Sequence, residues 1–150
     1  MNDDIIALAA LFAAIAAIVP LALVHGSFKA QELHEAWRKL AYRHDLRFDP
    51  GPRLRQRSKV SGVLDGREFL LQRAGGNDKA PVFMELRLRH EPGADDSPAR
   101  LRATEQLTDV GGEIDGDKLK VMVTWLAQDL EELDKTLHTL TAVAPVLEAA

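Results

Sequence analysis

Five histidines, at positions 25, 34, 44, 90 and 138, are the side chains best suited to hold a metal ion or pass a proton near neutral pH. Their spacing argues against both. The closest pairs are nine and ten residues apart, whereas two imidazoles on one helix converge on an ion at spacings of about three or four. His34 and His44 fall on one expected helix but about 80° away from a shared face. His25 lies at the edge of a long apolar segment, where a place in the headgroup zone outweighs haem or chlorophyll ligation.

The carboxylate clusters are no more specific. Asp95-Asp96 and the pair Asp115, Asp117 offer oxygen ligands for a hard cation, but the twelve-residue loop closed by a Glu is absent. Asp115-Gly116-Asp117 reads instead as a hairpin turn. Gly75-Gly76-Asn77-Asp78 and Gly111-Gly112 read as turns too, since neither follows a strand and opens a helix as phosphate-cradling glycines do. No serine is framed as Gly-x-Ser-x-Gly. The chain has no cysteine, which excludes disulfides, thiolate metal sites, iron–sulfur clusters and thiol nucleophiles. The expectation is therefore a protein without catalysis, cofactor or metal.

The elements that carry these residues belong to two kinds of sequence. Residues Ile5 to Val24 run for twenty positions without a charge, amide or hydroxyl, and eleven of them are Ile, Leu, Val or Phe. As a helix the run extends roughly 30 Å, the thickness of a bilayer's hydrocarbon core. Those eleven side chains favour insertion by on the order of 3 to 7 kcal/mol. A cleaved signal peptide fits poorly, because the start is Asn2-Asp3-Asp4 and Ala22-Leu23-Val24 lacks a small residue at its end. A buried helix of a soluble domain fits poorly as well, being seldom apolar on every face at this chain length. No Lys or Arg precedes the run, whereas Lys29, Arg38, Lys39 and Arg43 follow it. The positive-inside rule then places the N-terminus outside and the remainder in the cytoplasm, at the inner (plasma) membrane. Ala9, Ala13 and Ala17 form a small-residue stripe on which a second membrane helix can pack closely. Pro20 bends the helix near its cytoplasmic end.

The remainder is ordinary globular sequence. The whole chain has 150 residues, 46% hydrophobic and 28% charged, with a net charge of −4, so neither disorder nor general affinity for nucleic acid is expected. Charge is polarised within it. Residues 26–59 carry nine Lys and Arg against four Asp and Glu, while residues 60–150 carry ten against seventeen. Lys29, Arg53, Arg55, Arg57 and Lys59 are the candidate contacts for anionic lipid or an acidic partner; a solvated strand edge is the competing reading for the last four.

Helical spacing of Leu33, Trp37, Leu40 and Ala41 predicts an amphipathic helix from Phe28 to about His44. Gly26-Ser27 either separates it from the apolar segment or lets the two continue as one rod. Asp49-Pro50-Gly51-Pro52 ends the helical region. Ser58 to Leu64 and Arg67 to Arg73 flank Asp65-Gly66, a hairpin dipeptide. Val82, Met84, Leu86 and Leu88 alternate with Phe83, Glu85, Arg87 and Arg89 in a half-buried strand. A second hairpin at Asp115-Gly116 leads to a strand in which Leu119, Val121, Val123 and Trp125 share a face. Trp37 and Trp125 read as core anchors. Ser97-Pro98 marks a helix start, with Leu101 and Leu107 as its anchors. A last helix over Ala127 to Ala149 carries Leu126, Leu130, Leu133, Leu137, Leu140, Ala144 and Leu147 at alternating spacings of four and three. That stripe serves either to cover the sheet or, through Leu130, Leu133, Leu137 and Leu140, to meet another helix.

The sequence thus predicts an α+β chain in three parts: a transmembrane anchor over 1–25, a juxtamembrane amphipathic helix and basic linker over 26–57, and an α+β domain over 58–150. The domain has an antiparallel sheet of about five strands packed by an N-terminal and a long C-terminal helix. The order of elements over 28–149 resembles that of the small α+β type III secretion chaperones, a likeness that implies binding of protein segments and dimerisation. No motif carries a functional residue across. The expected role is a membrane-anchored interaction domain or accessory subunit, with the lipid bilayer and a membrane-protein partner or second copy as contacts; the alternative is a tethered domain that senses a lipid or small molecule.

Overall fold

The computed structural model describes residues 31–51, 58–75, 79–94 and 96–149. The apolar run Ile5 to Val24, with Ala9, Ala13 and Ala17, lies outside them, as do Lys29, Arg53, Arg55 and Arg57. Among the described residues no helix is long and apolar enough to cross a membrane.

A helix through residues 31–43, α1, is followed by the strands β1 (Arg47–Asp49), β2 (Lys59–Leu64), β3 (Arg67–Arg73) and β4 (Val82–Arg87). Helix α2 (Pro98–Asp109), the strands β5 (Gly112–Asp115) and β6 (Lys118–Met122), and helix α3 (Leu130–Glu148) complete the chain. The strands form one antiparallel sheet in the order β1-β2-β3-β4-β6-β5.

Turn chemistry fixes the registers. Asp65 and Gly66 have φ of 49° and 74°, and they close β2 on β3 with Leu64 opposite Arg67. Two positive φ values at the centre of a two-residue loop match the twist of the flanking strands, which is why Asp-Gly sits there. The second hairpin turns at Gly116-Asp117, one residue later than the dipeptide suggested, with Asp115 opposite Lys118.

Alternation then sorts side chains to two faces. Val60, Leu71, Met84 and Val121 form one inward row across four strands, and Phe69, Leu86 and Leu119 form the next. All are buried beneath the helices. Gly62 belongs to the second row; a Cβ there would stand 2.6 Å from Leu46 Cδ2, so the mid-strand glycine makes room for the segment between α1 and β1.

Three helices cover this face. From α1 come Leu33, Ala36, Trp37, Leu40 and Ala41; from α3 come Leu133, Leu137, Leu140, Val143, Ala144 and Leu147. The α3 stripe is thus spent on the chain's own core, with Leu130 at its margin. Ser97 caps α2 by accepting from the Arg100 amide, and Pro98 occupies its first turn, as the sequence anticipates. Asp129 caps α3, accepting from the amides of Glu131 and Glu132.

Four expectations need correction. The sheet has six strands, because Arg47–Asp49 pairs with β2 where the sequence suggested only a linker. Leu107 anchors α2 but Leu101 is exposed; the inward positions are 100, 103 and 107, and residue 101 lies about 125° off the centre of that face. Helix α3 starts at Leu130, three residues later than anticipated. Trp125 is 75% exposed. The alternation breaks because the ladder ends where Val123 N–H donates to Val82 O, and the Leu126 amide turns back onto Val123 O. Trp125 therefore leaves the pleat.

The two tryptophans contrast sharply. Trp37 is fully buried and its Nε1–H donates to the Ala127 carbonyl at 2.8 Å. Trp37→Phe removes that donor from a buried carbonyl and leaves a void, at a cost of about 2–4 kcal/mol. Trp125→Phe stays within about 0.5 kcal/mol. Urea unfolding of the full chain, followed by circular dichroism, measures both.

Candidate functional site

The end of α1 is brought against the first two turns of α3, and the polar side chains meet there. His44 Nε2 lies 2.5 Å from Asp134 Oδ1. Arg43 donates through Nη1 to Asp134 Oδ2 at 3.0 Å and through Nη2 to Glu131 Oε1 at 3.2 Å. One helical turn beyond Asp134, His138 Nε2 stands 3.8 Å from Asp134 Oδ2. The two imidazole rings are 5.7 Å apart at 71°. One ligand atom from each of His44, Asp134 and His138 falls within 4.8 Å of the others. Burial raises the Asp134 pKa, but the hydrogen bonds from His44 and Arg43 outweigh it and hold the carboxyl below its ordinary value. His44 and Asp134 are largely covered, whereas His138 faces solvent.

Sequence reading weighed histidine against histidine and missed this group. The spacing Asp134-x-x-x-His138 was visible and puts both residues on one helix face. His44, ninety residues away from Asp134, is brought in only by the packing of α1 on α3.

The second candidate is the sheet face turned away from the helices. Val63, Leu70, Phe83 and Met122 point outward from β2, β3, β4 and β6. Val63 stands opposite Glu68, two residues from Leu70; Leu70 stands opposite Glu85, two residues from Phe83; Phe83 pairs directly with Met122. The four make one diagonal apolar stripe, each within reach of the next. Val63 is 64% and Met122 40% exposed. On one flank Arg87 bridges Glu68 and Asp117, both at 3.0 Å. Lys120 Nζ lies 4.3 Å from the Phe83 ring centre. An open depression of about 410 Å³ beside the stripe is lined by Ser61, Gly62, Val63, Leu70, Glu85 and neighbours.

Among the candidate contact residues, Lys59 is described, exposed on β2 opposite Asp49 and Gln72. Leu133, Leu137 and Leu140 are buried and Leu130 is half-buried. His34 packs edge-on against Phe48, with centroids 5.9 Å apart, and burial lowers its pKa. His90 Nε2 lies 2.7 Å from the Glu148 carbonyl oxygen. Neither joins the His44 cluster. Comparison with family models, with curated proteins and with solved structures found no match for this chain.

At the other end of α3, Glu148 receives Arg67 through Nε at 2.8 Å and Nη2 at 2.5 Å, and the Arg89 amide at 2.8 Å. The Arg67 hydrogen bonds, with the Arg89 amide, overcome burial and hold the Glu148 carboxyl at about 2, against 4.5 when free. Because the folded state prefers the carboxylate, this stabilisation is complete above pH 4.5 and is lost as pH falls toward 2. It amounts to at most about 3 kcal/mol, less what solvent at the helix end screens. Urea midpoints of the full chain measured between pH 6 and 3 should fall, and Glu148→Gln should start lower at pH 6 and fall less over the same range.

Proposed function

We propose that this chain is a single-pass inner-membrane protein, held by Ile5 to Val24 with its N-terminus outside, whose cytoplasmic α+β domain binds a partner protein as an accessory subunit. The observation that carries this reading is the diagonal stripe of exposed Val63 and Met122 with half-buried Leu70 and Phe83 between them, on a sheet face that no helix of the described residues covers. An apolar centre flanked by charged side chains is the composition of a protein interface. The covered face supports the same reading. There Trp37, Met84, Leu86, Leu119 and Leu140 fill the space between sheet and helices, each at most 1% exposed, an arrangement suited to a rigid platform more than to an enclosed lipid or ligand cavity. Cations at Lys29, Arg53, Arg55, Arg57 and Lys59 draw the domain toward anionic headgroups.

Alkaline washing should leave the full chain with the membrane and release a form lacking residues 1–25. Affinity purification from native membranes should recover a protein partner. Val63→Asp combined with Met122→Asp should lower that recovery by about tenfold or more, as charges in a desolvated interface do, while membrane attachment persists. Alkaline release of the full chain, or undiminished recovery with the double variant, contradicts the reading.

A further inference from the structure

We infer that His44, Asp134 and His138 form a binding site for a zinc-class divalent cation that clamps the end of α1 to the start of α3. Two imidazoles and one carboxylate, with the fourth position left to water, are a common ligand set for such an ion. The geometry is close to what the ion requires. Ligand atoms around a tetrahedral zinc at about 2.0–2.2 Å stand roughly 3.3 Å apart; here His44 Nε2 lies 2.5 Å from Asp134 Oδ1 and His138 Nε2 lies 3.8 Å from Asp134 Oδ2, and one ligand atom from each of the three side chains lies within 4.8 Å of the other two. His44 and Asp134 must part by under about 1 Å to admit the ion, and rotation of the exposed His138 side chain brings its ring in from the solvent side.

The charges also suit a cation. Arg43 is the positive group at the site, and it is met by both Glu131 and Asp134, so with neutral imidazoles the cluster is left with one excess negative charge. Arg43 occupies Oδ2 of Asp134 while His44 faces Oδ1. A ligating carboxylate whose second oxygen is held by a hydrogen bond is the usual supporting arrangement. Asp134 and His138 share one helix face, and His44 is fixed by the turn in which its amide donates to Leu40 O.

The test is titration of the untagged full chain in detergent with Zn²⁺ at neutral pH, in competition with a chromophoric chelator and in parallel with thermal unfolding. One equivalent should bind and raise the melting temperature. His138→Ala, which removes an exposed side chain and leaves the circular dichroism spectrum unchanged, should weaken binding by about tenfold or more. Asp134→Asn should do the same, and His90→Ala should bind as the unaltered chain does. No binding by the unaltered chain, or binding that survives His138→Ala, overturns the assignment. Neither result bears on the proposed docking stripe, with which this site shares no residue.

Discussion

The indole of Trp37 lies wholly inside the protein, its N–H on the carbonyl of Ala127, and the other packing decisions follow from that contact. It ties α1 to the turn that leads into α3, so two of the helices that cover the sheet are held relative to each other by a buried hydrogen bond. A buried donor must find an acceptor, and here a single backbone oxygen serves. Arg43 and His44, two turns along from Trp37, lie on the side of α1 that faces Asp134. At the opposite end Arg67 on β3 holds Glu148, the last residue of α3, so that helix is fixed to the sheet at its C-terminus as well.

With both ends of α3 fixed, one face of the sheet is closed and the other left open. Six strands offer two faces, and the described helices all lie on one. An antiparallel sheet tolerates this when its open face carries polar side chains. Here the charged residues Glu68, Glu85, Arg87, Lys118 and Lys120 perform that task through ion pairs and a ring contact, yet four apolar side chains run diagonally through them. Their diagonal follows the register of the strands, two residues per step from β2 to β4. The other exposed large apolar residues among those described, Tyr42, Leu101, Ile114 and Trp125, form no such line.

Much of the scaffold was legible in the sequence. Period-two alternation located β4 and β6, the two Asp-Gly dipeptides located the hairpins, and the leucine spacing located the inner face of α3. What failed had local causes. Three residues between α1 and a proline-rich turn carry too little pattern to announce β1. Trp125 kept the alternation of β6 on paper, but the strand had already ended in a turn. The candidate sites were less legible, because each is assembled across the fold. The outward stripe needs the strand register, which no single strand reveals. The His44 cluster needs α1 laid on α3, and its histidines lie ninety-four positions apart. The proposed membrane anchor is the reverse case: it rests wholly on the sequence, on residues outside the described ones.

The proposed anchor over Ile5 to Val24 would keep beside the bilayer a domain that presents one sheet face. The central claim is that this face, and no other exposed apolar residue, meets the partner. Photocrosslinking in native membranes addresses it most directly, with a photoreactive residue placed in turn at Val63, Phe83, Met122, Tyr42 and Leu101. The account predicts a discrete, heavier adduct from the first three positions and none from the last two. Adducts formed equally at all five, or at Tyr42 and Leu101 alone, would contradict it.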